Sequence, residues 1–282
     1  MAQITPKMVK ELRDKTGAGM ADCKKALTNA EGDMQAAIEE LRKKGAASAE
    51  KRADRSANEG IITTKATDDH KKAIIVEVNC ETDFVARNEE FVTYVDQVAD
   101  AVMNSNVETT EELLKVKVGD NTVEELHNDI LAKFSEKIEI RKFARMASEG
   151  FIADYIHAGS KLAVLIDISV ENPSEEGIAH VRDIAMQIAA MNPSFIDRSQ
   201  VDTETIEKEK QIYLEAAIAE GKKPEIAERI STGKLEKYYQ ENCLVEQTFV
   251  KDSSKNVATV LTEIAEDAKI NDFKRFFLGE EA

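Results

Sequence analysis

The sequence predicts an α+β protein built from several units, and three observations carry that prediction. Apolar residues recur with helical spacing over roughly the first 44 positions and then, from Gly60, with a period of two. A strand–turn–strand pattern at Gly60–Val78 returns at Gly150–Ile168, ninety residues on and without a gap. Farther along, two helical stretches meet at a Gly/Pro turn within residues 202–240.

Each element has its own local cause. Thr5-Pro6 offers a capping hydroxyl followed by proline at the first helical position, and Met8, Val9 and Leu12 supply a short apolar face. The two glycines of TGAGM (Thr16–Met20) end that helix, and a second carries Met20, Cys23, Ala26 and Leu27. Asp33 is placed to cap a third, with Met34, Ala37, Ile38 and Leu41 inward. Residues 42–59 are small, polar and basic and read as a connector, an exposed helix or a basic arm for RNA.

From Gly60, GIITTKAT and AIIVEVN read as a hairpin around DDHKK. Helices follow on Phe91, Val95, Val98 and Val102 and on Val123, Leu126, Ile130 and Phe134, then a strand over Ile138–Phe143. After the second hairpin, Ile178, Val181, Ile184, Ile188 and Met191 mark a helix stopped by Pro193. The thin seams of 202–240 predict an antiparallel helical hairpin, with CLVEQTFV and DFKRFFLGE returning as strands around a helix at Lys255–Ala268. The expected units are 1–55 (three helices and linker), 56–145 (first core subdomain) and 146–282 (second core subdomain), the helical hairpin lying at about 200–240.

Composition narrows the function. With 38 Lys+Arg against 54 Asp+Glu the chain carries a formal charge of −16, unfavourable for general nucleic-acid binding. The first 55 residues run the other way, with 12 basic against 9 acidic side chains. That head suggests separate contacts, and RNA binding or a scaffold role through it is the alternative reading. Aromatics make up 5% and Trp is missing, so base-stacking platforms are not expected. No apolar run of membrane-spanning length occurs, and the first residues resemble neither a secretory signal nor a transit peptide. Cys23, Cys80 and Cys243 form no metal or disulfide spacing, so a reducing, cytoplasmic setting is expected.

Catalytic motifs are not found. DKTG (Asp14–Gly17) fits a DxxG pattern, but no phosphate-cradling loop accompanies it, and the four histidines are scattered. The chain therefore reads as a binding protein without cofactor or metal, not an enzyme. One local feature stands out at NCETDFVARNEEF (Asn79–Phe91). Thr82 can cap a helix with Asp83 in its first turn, which leaves Phe84 at a helix tip where Glu81 cannot staple it. The ring either packs on its own sheet or plugs a pocket of another protein.

Two stretches, TGAGMADCKKAL (Thr16–Leu27) and EVNCETDFVAR (Glu77–Arg87), resemble the two signatures of the elongation factor Ts family. The resemblance continues through KIEIRK, DYIHAGSKLAVLI, AMQIAAMNPSF and KPEIAERISTGKLEKYY and covers nearly the whole chain in order. It implies a guanine-nucleotide exchange factor acting on elongation factor Tu, which displaces Mg and promotes GDP release so that GTP can bind. It also implies a three-helix head of the ubiquitin-associated type, a core of two subdomains and an inserted coiled-coil hairpin. In the family the TDFV segment, here Thr82, Asp83, Phe84 and Val85, dislodges magnesium from the partner. Gly19, Met20 and Lys24 in the first signature, with Phe134 and His157 in the core, are further candidate contacts. No membrane, nucleic acid or directly bound nucleotide is expected. The family's usual Tyr-Gln-His-Gly is Tyr155-Ile156-His157-Ala158 here, so that loop is expected to pack differently. The sequence stops soon after DFKRFFLGE, short of a further helix that some members carry to the partner.

Overall fold

A computed structural model describes residues 4–50, 52 and 54–280. Residues 1–3, 51, 53, 281 and 282, expected in the head, connector and tail, lie outside the described residues. The head is α1 (Pro6–Thr16), α2 (Met20–Asn29) and α3 (Met34–Glu50). The Thr5 hydroxyl accepts from the Met8 N–H, and Gly17 closes α1 in the left-handed region at φ 68°. Asp33 accepts from the Ala36 N–H at the start of α3. Val9, Leu12, Cys23, Ala26, Leu27, Ala37 and Leu41 fill the small core between the three helices.

The basic segment is helix over its first half and is tied to the chain itself. Residues 42–50 complete α3. Arg42 pairs with Asp129, Lys44 with Asp22, and Arg55 with Glu81. Arg52 is buried and donates to the carbonyls of Phe134 and Glu136 at 3.0 and 2.6 Å. These cations face internal acceptors and are poorly placed as an arm for RNA.

The next unit contains β1 (Glu59–Ala66), β2 (Lys72–Cys80), α4 (Asp83–Ala86), α5 (Glu89–Met103), α6 (Thr110–Leu113), the short pair β3 (Lys117–Val118) and β4 (Asn121–Thr122), α7 (Val123–Lys133) and β5 (Ile138–Ala147). Its sheet is antiparallel in the order β1-β2-β5. The last unit contains β6 (Phe151–Ile156), β7 (Leu162–Ile168), α8 (Glu175–Met191), α9 (Thr203–Ala219), α10 (Pro224–Asn242), α11 (Val257–Ile264) and β8 (Ile270–Phe277), with sheet order β6-β7-β8.

The buried residues of the central strands β2 and β7 are apolar but for Glu77, Asn79 and Asp167, because both of their faces are covered. Ile74, Val76, Val78 and Cys80 of β2 meet Phe91, Val95, Val98 and Val102 of α5. Ala73 and Ile75 point the other way, into a layer shared with Ile152, Ala163 and Leu165 of the second sheet. Val164, Ile166 and Ile168 of β7 face Val181, Ile184 and Ile188 of α8. The layers thus run helices, sheet, sheet, helices.

The ninety-residue repeat is physical. A Cβ on Gly60 would stand 2.2 Å from the Val78 carbonyl oxygen, and one on Gly150 would stand 1.9 Å from that of Ile168. β2 and β7 each carry a register shift at the matching step, Glu77/Val78 and Asp167/Ile168. Both hairpin turns hold a left-handed residue, His70 at φ 55° and Ser160 at φ 54°.

Several local expectations are corrected. β5 extends four residues past the expected Phe143, to Ala147. Phe134 caps α7 in extended conformation and is not helical. CLVEQTFV forms a single turn at Leu244–Glu246 and no strand, because the buried Gln247 side chain is pinned between Gln187 and the Glu241 carbonyl. Met191, the last residue of α8, is 46% exposed and is not part of the buried stripe. The two helices of 202–240 form an antiparallel pair with Ala217 and Ala227 buried in the seam and the Ser231 hydroxyl donating to the Lys210 carbonyl.

Candidate functional site

At the end of β2 the chain turns sharply into α4, and the turn is held by side chains. The Thr82 hydroxyl accepts from the Val85 N–H as the helix cap. The Glu136 carboxylate, from the loop before β5, accepts the N–H groups of Glu81 and Thr82 at 3.1 and 3.0 Å and the Thr82 hydroxyl at 2.6 Å. In return the Glu81 carboxylate accepts the Lys137 N–H at 2.5 Å and Arg55 at 3.2 Å. Those two donors, the Lys137 N–H foremost, hold the Glu81 carboxyl below the usual glutamate range.

The turn divides its two apolar residues between core and solvent. Val85 is 7% exposed and packs with Cys80 and Phe91, whereas Phe84 is 82% exposed. Phe84 therefore does not pack on its own sheet, the first of the two dispositions open to it. Asp83 pairs with Arg87 at 3.0 Å on the outer face of the same turn. The Cys80 thiol beneath is pushed up to about 12, chiefly by burial, so it stays protonated and unreactive.

The other candidate residues fall around this end of the molecule, except that Phe134 sits half-buried behind it. Gly19 caps α2, and Met20, 46% exposed, and Lys24 lie on its solvent side. Ala18 and Asp22 share a cleft of about 330 Å³ with Lys44, Arg52, Arg55 and Ser135, so the first signature borders the loop that clamps the turn. Phe134 packs on the first core, and its carbonyl receives Arg52. His157 is exposed in the β6–β7 turn, its Nδ1 2.8 Å from the Tyr155 hydroxyl. Lys161 of that turn reaches Glu59, the strand partner of Cys80, at 2.6 Å, which brings the second hairpin to the same end. Sequence reasoning missed Glu136 and the two arginines. Glu136 acts on a turn more than fifty residues away, and nothing near it in sequence signals the contact.

Among the described residues no group of His, Cys, Asp and Glu is arranged to hold a metal. None of the described helices is long and apolar enough to cross a membrane. What the arrangement offers is an exposed ring on a clamped turn and, on the head, a partly exposed methionine, both suited to protein contact.

The sequence profile described as "Elongation factor TS" matches residues 81–280, and curated relatives extend the match to nearly the whole chain. The chain belongs to the elongation factor Ts family. It is 47% identical to elongation factor Ts of Clostridium perfringens, over 98% of this chain and 93% of the relative. It is also 47% identical to that of Chlorobaculum tepidum, over 99% and 100% of the two chains, and 45% identical to that of Prosthecochloris aestuarii. The function that elongation factor Ts membership carries is guanine-nucleotide exchange on elongation factor Tu in protein synthesis.

Proposed function

We propose that this chain releases GDP from elongation factor Tu by inserting Phe84 between helices of the partner's GTPase domain, displacing the magnesium held there. The observation that carries this reading is the contrast between an exposed Phe84 and a buried Val85 on one clamped turn. Thr82 caps the turn and Asp83 stands beside the ring. Magnesium neutralises the nucleotide phosphates, so moving it weakens their binding. Gly19, Met20 and Lys24, together with Phe134 and His157, are proposed to widen the contact. The head is read as the ubiquitin-associated type, the α9–α10 pair as a coiled-coil hairpin, and 1–55, 56–145 and 146–282 as the working units. The setting proposed is the cytoplasm, with no bond chemistry, cofactor, nucleic acid or directly bound nucleotide.

Energetics require that wider contact. Burying one phenylalanine contributes roughly 1.5–3 kcal/mol, or at most about 10–150-fold in rate. Nanomolar nucleotide binding is worth about 12 kcal/mol. A broad interface must therefore favour the open GTPase, and by reciprocity nucleotide rebinding must loosen this chain. Stopped-flow release of a fluorescent GDP analogue tests the reading. Phe84→Ala is expected to slow release by about tenfold or more while leaving this chain folded. An unchanged rate overturns it.

A further inference from the structure

We infer that Glu136 is a positioning residue for exchange, fixing the turn that presents Phe84; the inference rests on the reading of Phe84 given above. A helix of four residues such as α4 cannot hold its own orientation. The N–H groups of Glu81 and Thr82 lie past the last paired residue of β2 and need another acceptor. Glu136 Oε2 takes both, and Oε1 takes the Thr82 hydroxyl, which thereby keeps its lone pairs aimed at the Val85 N–H. One carboxylate thus fixes the strand end and the helix cap together, with charge-assisted bonds. The loop that carries Glu136 is itself held, because Arg52 binds the carbonyls of Phe134 and Glu136 and Glu81 binds the Lys137 N–H. With Val85 anchored in the core, the direction of the exposed ring follows from these bonds.

The test uses the full chain and elongation factor Tu loaded with fluorescent GDP, with Phe84→Ala, Glu136→Ala, Glu136→Gln and the Phe84→Ala/Glu136→Ala double variant. Glu136→Ala is expected to slow release on the order of tenfold, and the double variant to be no slower than Phe84→Ala alone. Glu136→Gln keeps an oxygen for the two N–H groups and should stay within about threefold of the natural chain. Amide hydrogen exchange should quicken at residues 81–85 in Glu136→Ala and stay unchanged in the second sheet. If Glu136→Ala does not melt cooperatively, Glu136→Asp, which keeps the charge but draws the carboxylate back from its three donors, replaces it with the same expected direction. Slow release in Phe84→Ala with natural rates in Glu136→Ala overturns the role of Glu136 alone, as does a double variant whose losses multiply. Natural rates in Phe84→Ala overturn the reading of Phe84 and this inference with it.

Discussion

Arg42 of α3 and Asp129 of α7 meet along two parallel bonds, Nε to Oδ1 at 2.5 Å and Nη2 to Oδ2 at 2.8 Å. They join the head to α7 at a point where the helices come close. A Cβ on Gly45, one turn along α3, would stand 3.1 Å from the Ala132 backbone. Both side chains keep about a third of their surface in water, so screening limits the pair. Its fork geometry places it near the upper end for such pairs. A double-mutant cycle on Arg42→Ala and Asp129→Ala, read by urea denaturation, is expected to give a coupling of about 1 kcal/mol, falling as salt is raised. Additive single losses would show that the head docks without this pair.

Gly60 and Gly150, ninety residues apart, are equivalents, each pressed against a carbonyl of the central strand of its own sheet. At both sites the obstacle is backbone, which cannot swing away. Gly60→Ala and Gly150→Ala are each expected to cost about 2–4 kcal/mol of stability, measured by thermal or urea unfolding. Gly119 is the control. It has φ 63° but open space around it, so alanine there should cost about 1 kcal/mol through backbone strain alone.

These glycines also show what was legible in the sequence. Both hairpins, the three head helices and the α9–α10 pair follow from local patterns: apolar period, capping residues, and Gly or Pro at turns. The run CLVEQTFV alternates well enough for a strand, yet a buried glutamine fixed by Gln187 and Glu241 holds it as a turn. That contact spans sixty residues and leaves no trace in the local pattern. The site divides the same way. Thr82, Asp83 and Phe84 announce a cap and an unstapled ring within one short segment. Glu136 acts only through the fold, and Arg52 and Arg55 resemble any solvated basic stretch until their acceptors are seen.

Phe84 and Val85 are neighbours with opposite roles, so stability and exchange should separate there. Phe84→Ala removes a ring that is 82% exposed and should change unfolding free energy by no more than about 0.5 kcal/mol. Val85→Ala empties space against Cys80 and Phe91 and should cost about 1–2 kcal/mol. The check is one urea titration per variant beside the GDP-release assay. A large stability loss in Phe84→Ala would place the ring inside the fold.

Acid should weaken the packing of α5 on α7 through one histidine. The ring of His127 on α7 lies 2.6 Å by Nδ1 from the hydroxyl of Tyr94 on α5, and in the neutral ring Nδ1 accepts that O–H. Burial lowers its pKa from 6.5 to about 4 and pushes that of Tyr94 up. Protonation therefore favours the unfolded chain. The contribution is complete above about pH 6.5, declines as pH falls toward about 4, and levels off below. The full shift would be worth about 3 kcal/mol, and the part of the residue still open to water brings the expectation to about 1–3 kcal/mol. His127→Gln cannot titrate. The stability difference between the natural chain and this variant, taken from urea midpoints at pH 7 and pH 4.5, should shift against the natural chain at the lower pH. A difference independent of pH would mean that His127 titrates alike in the folded and unfolded chain.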